Sequence, residues 1–210
     1  MTDIETDVET IARAMGGDET AQRVLYETFY AAAFRLAYLL LRDGNDAEEV
    51  VQDGFVYVFR NLQRYDPERG SFWTWLRIVL VSRCRNKRRR RQLHLVSLEM
   101  LDGVGASPAA PEPASDPASV LEMGGTRLAV WEALQRVSPG ARDALVLRYY
   151  EGLPYAEIAT ILGCSAGAAR ARVAHGKAQL HRLLTAPEQD VARWRKERLP
   201  LPSQGRGPGG

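Results

Sequence analysis

A chain of 210 residues with 45% hydrophobic and 26% charged side chains can hold one or two small domains with cores of their own. No run approaches the ~18 apolar residues of a membrane span, and the acidic N-terminus is not a signal peptide, so no membrane insertion and a cytoplasmic location are expected. The net charge of +2 hides strong segregation: six acids against one arginine in residues 1–20, eight bases and no acid in 77–91, and bases alone among the charges of 160–187. Such blocks favour a polyanionic partner at two separate places. Cys84 and Cys164 stand apart, with no CxxC and no histidine at ligand spacing, so neither a disulfide nor a metal or other cofactor is expected.

Ile4, Val8, Ile11 and Met15 predict a short first helix ending at Gly16-Gly17. Leu25, Phe29, Ala33, Leu36 and Leu40 predict a longer second one with Asp18 as its cap. Asp43-Gly44-Asn45 breaks it, and Asp46, three residues before Glu49, suggests a capping box opening a third helix. In that helix Val51, Phe55, Val58 and Leu62 form an apolar stripe, while Asp46, Glu49, Gln52 and Asp53 form a neighbouring acidic one. From these residues alone, a solvated face with acids near a helix N-terminus is the readier account of the acidic stripe.

Pro67 and Gly70 mark a loop, and Phe72, Trp73, Trp75 and Leu76 crowd its exit. Helical geometry lets Phe72, Trp75 and Leu76 share the buried side and turns Trp73 towards solvent. There Trp73 can stack on an unpaired base, worth roughly 1–3 kcal/mol; packing beneath the preceding helix is the other reading. The helix that follows becomes almost wholly basic, with five consecutive bases at 87–91, which points to phosphate contact.

Residues 96–125 change to alanine, proline, serine and glycine with scattered acids (GVGASPAAPEPASDPAS). They read as a flexible acidic linker between two bodies that need not touch. Beyond it, helices are expected around Leu128–Val137, around Ala144–Tyr150, after Pro154, and over about 166–184. Ala159, Gly163 and the apolar Ile158 and Leu162 follow helix-turn-helix spacing. The last helix carries Arg170, Arg172, His175, Lys177 and Arg182 without an acid. A further short helix around Val191 and Trp194 would precede a tail, PLPSQGRGPGG.

Three stretches, DAEEVVQD, RYDPERGSFWTWL and LPYAEIATILGCSAGAARARVAHGKAQL, occur in this order across an acidic linker. Together they resemble bacterial RNA polymerase sigma factors of the extracytoplasmic-function (ECF) type. The resemblance implies an all-α fold of two small domains: a region 2 domain (1–95) and a helix-turn-helix region 4 domain (126–186), joined by the linker (96–125) and followed by a tail (187–210). It implies that Asp46, Glu49, Gln52 and Asp53 dock on the coiled coil of the largest subunit of core RNA polymerase. Arg64, Tyr65, Phe72, Trp73, Arg77, Arg83, Asn86 and Arg88 would then open and hold the promoter −10 element. Ser165, Ala166, Ala168, Arg170, Arg172, Val173, His175 and Lys177 would read the −35 element. An anti-sigma factor is an expected partner. Ala168, Ala169 and Ala171 depart from the β-branched and polar residues usual there, so base readout would lean on the arginines and on thymine methyl contacts.

A helix-turn-helix regulator acting without a sigma factor's role is the alternative, but it leaves the aromatic-basic helix unexplained. An enzyme acting on DNA would need carboxylates or a nucleophile converging in a basic site. The acids lie away from the basic stretches, so the chain is not expected to be an enzyme.

Overall fold

The structure, a computed structural model, describes residues 8–102 and 125–185. Every regular element among them is helical. Ile4, most of the expected linker and the expected helix around Val191 and Trp194 lie outside the described residues.

The first helix, α1, spans Val8–Met15 and tucks Ile11 and Ala14 inward. Gly17, at φ 89°, turns the chain into α2, Glu19–Leu41. Asp18 caps α2 as expected, its Oδ1 accepting from the N–H groups of Thr20 (2.9 Å) and Ala21 (3.1 Å). Its Oδ2 accepts from Arg13 of α1, which holds the Asp18 carboxyl below its ordinary range. By length and composition alone α2 is apolar enough to cross a membrane, a property that counting consecutive apolar residues missed. It is the central helix of the first domain: Leu25, Phe29, Leu36 and Leu40 are fully buried. Each such side chain stabilises the fold by about 1.5–3 kcal/mol.

Arg42 closes α2 in a left-handed conformation (φ 67°). The next helix, α3, spans Gly44–Arg60 and begins two residues earlier than expected. Its cap is Asp43, whose Oδ1 accepts from the Asp46 N–H at 2.9 Å; Asp46 is thus in the first turn and is not the cap. Two short 3₁₀ turns, Leu62–Arg64 and Pro67–Arg69, build the loop. Asp66 caps the second, accepting from the Glu68 N–H. Helix α4 then runs over Phe72–Asp102, continuing past residue 95 into what the composition marks as linker.

Helices α2, α3 and α4 pack together around Phe29, Phe55, Phe72, Leu76 and Leu80. Gly54 permits the α3–α4 approach, because a Cβ there would lie 2.8 Å from Leu80 Cδ2. Cys84 is fully buried among these helices, and burial pushes its thiol up, beyond easy ionisation.

The second domain comprises α5 (Gly125–Arg136), α6 (Pro139–Leu145), a π-helical turn (Val146–Tyr150), α7 (Tyr155–Leu162) and α8 (Ala166–Thr185). In the π turn the Glu151 N–H reaches back five residues to Val146 O (3.1 Å). Gly163, at φ 61°, makes the turn between α7 and α8. The Cys164 N–H closes it by bonding Ala159 O at 3.0 Å, a helix-ending motif that needs a left-handed residue. Ser165 Oγ then caps α8 by accepting from the Ala168 N–H (3.1 Å). Ala169, Val173 and Gly176 are buried along α8, and α8 lies close on α6 because a Cβ on Gly176 would meet Leu145 Cδ1 at 2.7 Å.

The two bodies, which the linker does not require to meet, touch. Arg85 of α4 donates to Leu162 O at the end of α7 (3.0 Å). Arg88 donates in a fork to Asp143 of α6 (2.7 and 2.5 Å) and also to Leu40 O. Tyr38 stacks on Trp131 (centroids 6.2 Å, 20° between planes), and Arg42 donates to Gln135 O.

Candidate functional site

Three surfaces are built on these helices. The first is the edge shared by α3 and α4. Glu49, Gln52 and Asp53 are exposed there, whereas Asp46 is largely covered. Lys87 Nζ lies 2.5 Å from Glu49 Oε2 and 3.3 Å from Asp46 Oδ1. These partners, Glu49 foremost, raise the Lys87 pKa. Arg91 reaches Asp46 at 3.1 Å, and Arg83 stands 3.6 Å from Asp53 while lying over the Tyr57 ring. Acidic stripe and basic helix therefore neutralise each other in part, which the sequence blocks read separately did not reveal. Asp53 keeps a side chain 63% exposed and is the acid of the stripe best placed for an outside partner.

The second surface is the loop and the start of α4. Arg64 is exposed. Tyr65 is half-buried, donates its hydroxyl to Gly70 O (3.1 Å) and lies against Phe72 and Trp75. Phe72 is buried, as its helical spacing predicts, and is therefore not exposed for the −10 contact expected of it. Trp73 is also buried, at 5% exposure, and not turned to solvent. Its ring stacks on Phe29 of α2 (6.1 Å, 3°), while Trp75 takes the half-exposed position. The reversal has a physical cause: α4 is covered on two sides, by α2 and by the second domain, and a one-sided helical pattern places only the first.

On that second side Glu151 Oε2 accepts from Trp73 Nε1–H and from Arg77 Nη1, both at 3.1 Å. Arg77 is buried too. Asn86 remains exposed, and Arg88 is held by Asp143. Glu151, Asp143 and Arg85 were not singled out by sequence reasoning, since nothing local marks an acid whose partner lies 74 or 55 residues away.

The third surface is the outer face of α8. Ser165, Ala166, Arg170, His175 and Lys177 are exposed along it, and Ala168 is half-buried. Arg170 lies over the Tyr155 ring at 5.3 Å, with Arg148 also against that ring; Gln179 contacts His175 Nε2 at 2.7 Å. Val173, expected among the outward residues, is buried at 2% and belongs to the core of the helix-turn-helix. Arg172 points elsewhere as well. With Arg85, Arg88 and Arg89 it lines a cleft of about 490 Å³ between the domains.

Comparison with known proteins settles the family. The sigma-70 region 2 family matches residues 25–94 and the sigma-70 region 4 family matches residues 127–180. The chain is 30% identical over 185 residues to the ECF RNA polymerase sigma factor SigM of Mycobacterium tuberculosis, covering 85% of each chain. The chain belongs to the ECF RNA polymerase sigma factors.

It is also 34% identical over 163 residues to the sigma factor SigE of Mycolicibacterium smegmatis, across 76% of this chain and 60% of that relative's length. Among solved structures, the sigma factor RpoE of Bartonella quintana, crystallised with the anti-sigma factor NepR, superposes with a TM-score of 0.60 at 22% identity, covering 78% of this chain and 96% of the other. CnrH in complex with the cytosolic domain of CnrY gives 0.55 at 24% identity, covering 83% and 94%. These two support the two-domain helical fold of the sigma factor.

Proposed function

We propose that this sigma factor docks on core RNA polymerase through the acidic edge of α3, opens and holds the promoter −10 element with the loop at 61–71 and the face of α4, and reads the −35 element with the outer face of α8. One observation carries the reading. A sigma-70 region 2 match and a region 4 match stand in order on one chain, and each domain presents cations, on α4 and on the exposed face of α8. The largest-subunit coiled coil is the proposed docking partner, with Glu49, Gln52 and Asp53 as its contacts. Unstacking duplex DNA costs on the order of 1.4 kcal/mol per step, and cations on the flanking phosphates with a protein pocket for an extruded base offset part of that cost. Docking on the polymerase fixes the separation of the two domains, so neither needs to bind DNA tightly alone.

An anti-sigma factor is a proposed partner, since RpoE of Bartonella quintana was crystallised with one, and the cytoplasm is the proposed place of action. In vitro transcription of a genomic library by core polymerase tests the function. Discrete new start sites on adding the chain are expected. A tight duplex footprint by the chain alone, with no new starts, would favour a helix-turn-helix regulator instead.

A further inference from the structure

We propose that the helix-turn-helix domain is an intramolecular cap on the face of α4 meant for unpaired promoter DNA, with Glu151 as its latch. The inference rests on the sigma-factor reading of α4 given above.

The side chains at the seam are the ones a DNA strand would need. Trp73 and Arg77 are one helical turn apart on α4, and Arg88 lies on the same helix further along. An indole N–H and a guanidinium N–H both point at one carboxylate oxygen, Glu151 Oε2. Arg88 grips Asp143 with two parallel bonds, the forked geometry by which arginine also takes a phosphate. A donor bonded to a carboxylate cannot at the same time bond a phosphate. The ring of Trp73, sealed between Phe29 and the second domain, cannot stack on a base. Cap and DNA strand therefore exclude each other at three named residues.

The seam is also built to come apart. Glu151 Oε1, Arg77 Nε, and Nε and Nη1 of Arg142 are buried without a hydrogen-bond partner. A buried polar network with unmet members is costly to hold. Arg85 and Arg89 from α4 face Arg172 from α8 across the interdomain cleft, and its one carboxylate, Asp143, is already taken by Arg88. Like charges across a seam favour opening when an anion is offered. Meanwhile Arg170, His175 and Lys177 of α8 stay exposed. In the closed form duplex readout is free and strand capture is blocked, so an incoming duplex or the polymerase precedes access to the melted strand.

The full chain carrying Glu151→Gln with Asp143→Asn tests this against wild type, using a fluorescein-labelled, mixed-sequence single-stranded DNA 12-mer and small-angle scattering. At least tenfold tighter binding and a larger radius of gyration are expected for the variant. Unchanged values in a folded variant, or a loss of melting temperature with no gain in DNA binding, would overturn the latch. Should the variant not fold, the ¹⁵N-labelled wild-type chain decides. The Trp73 indole N–H, identified with Trp73→Phe, exchanges slowly with water if capped, and fast exchange overturns the proposal. Transcription by wild type with core polymerase is scored separately: its absence counts against the sigma-factor reading of α4, whereas the scattering and exchange results judge the cap.

Discussion

Lys87 Nζ bridges Glu49 and Asp46, 2.5 and 3.3 Å away, and so ties the basic helix α4 to the acidic edge of α3. The acids of that edge consequently divide. Asp46 serves the fold, bonded by Lys87 and Arg91, while Asp53 is open to water with only a loose approach to Arg83.

Asp53→Lys is therefore expected to abolish copurification with core polymerase while leaving the melting temperature almost unchanged, since exposed substitutions usually stay within about 0.5 kcal/mol. Asp46→Ala should instead lower the melting temperature, because two cations lose a partner. Pull-down and thermal denaturation of both variants check the division; retained polymerase binding by Asp53→Lys would remove the docking role.

Gly54→Ala should destabilise the chain by about 1–3 kcal/mol, the usual cost of overfilling a packed core, because the new methyl meets Leu80 Cδ2 at 2.8 Å. Pairing it with Leu80→Ala should recover part of the overpacking cost, so the double variant is less destabilised than the sum of the singles. Urea denaturation of the full cycle measures the coupling.

Gly163→Ala places a side chain at φ 61° with no clash to add to the backbone cost. About 1 kcal/mol of destabilisation is expected, together with weaker duplex binding, since the turn sets the angle of α8. Arg170→Ala should leave stability nearly intact and weaken −35 duplex binding by about 1–3 kcal/mol if it reads a base edge. A gel-shift series on one promoter separates the two effects.

Arg142→Met is predicted to stabilise the closed chain. The guanidinium is 1% exposed and neither Nε nor Nη1 has a partner. Burial, reinforced by the charges of Arg42 and Arg88, pushes its pKa down to about 9. A base whose folded pKa lies below its unfolded one costs stability wherever both forms are protonated. The penalty is thus full below about pH 9 and lessens as the pH rises from there towards the ordinary arginine range. The gain in melting temperature on Arg142→Met should be largest near neutral pH and shrink in alkali; a loss at neutral pH would contradict it.

Much of this was legible beforehand. Periodicity located α2, α3 and α8; Asp18 and Ser165 cap α2 and α8 by chemistry that acts within three residues, and Gly163 turns the chain out of α7. Val173, four residues from the buried Ala169, was carried outward by the family resemblance against its own helical spacing. Trp73 was misread because it sits beside the apolar stripe of its helix, and which side of that stripe is covered depends on a partner distant in sequence. Glu151 was invisible for the same reason. A lone acid after a tyrosine pair gains meaning only when an indole and a guanidinium arrive from another domain.

Cys84 has a practical consequence. With the Cys84 thiol sealed among α2–α4 and held protonated, the half-buried Cys164 is the more reachable of the chain's two thiols. Maleimide chemistry on the unaltered protein should thus mark the bend between α7 and α8, placing a dye beside the exposed face of α8 without any engineered handle.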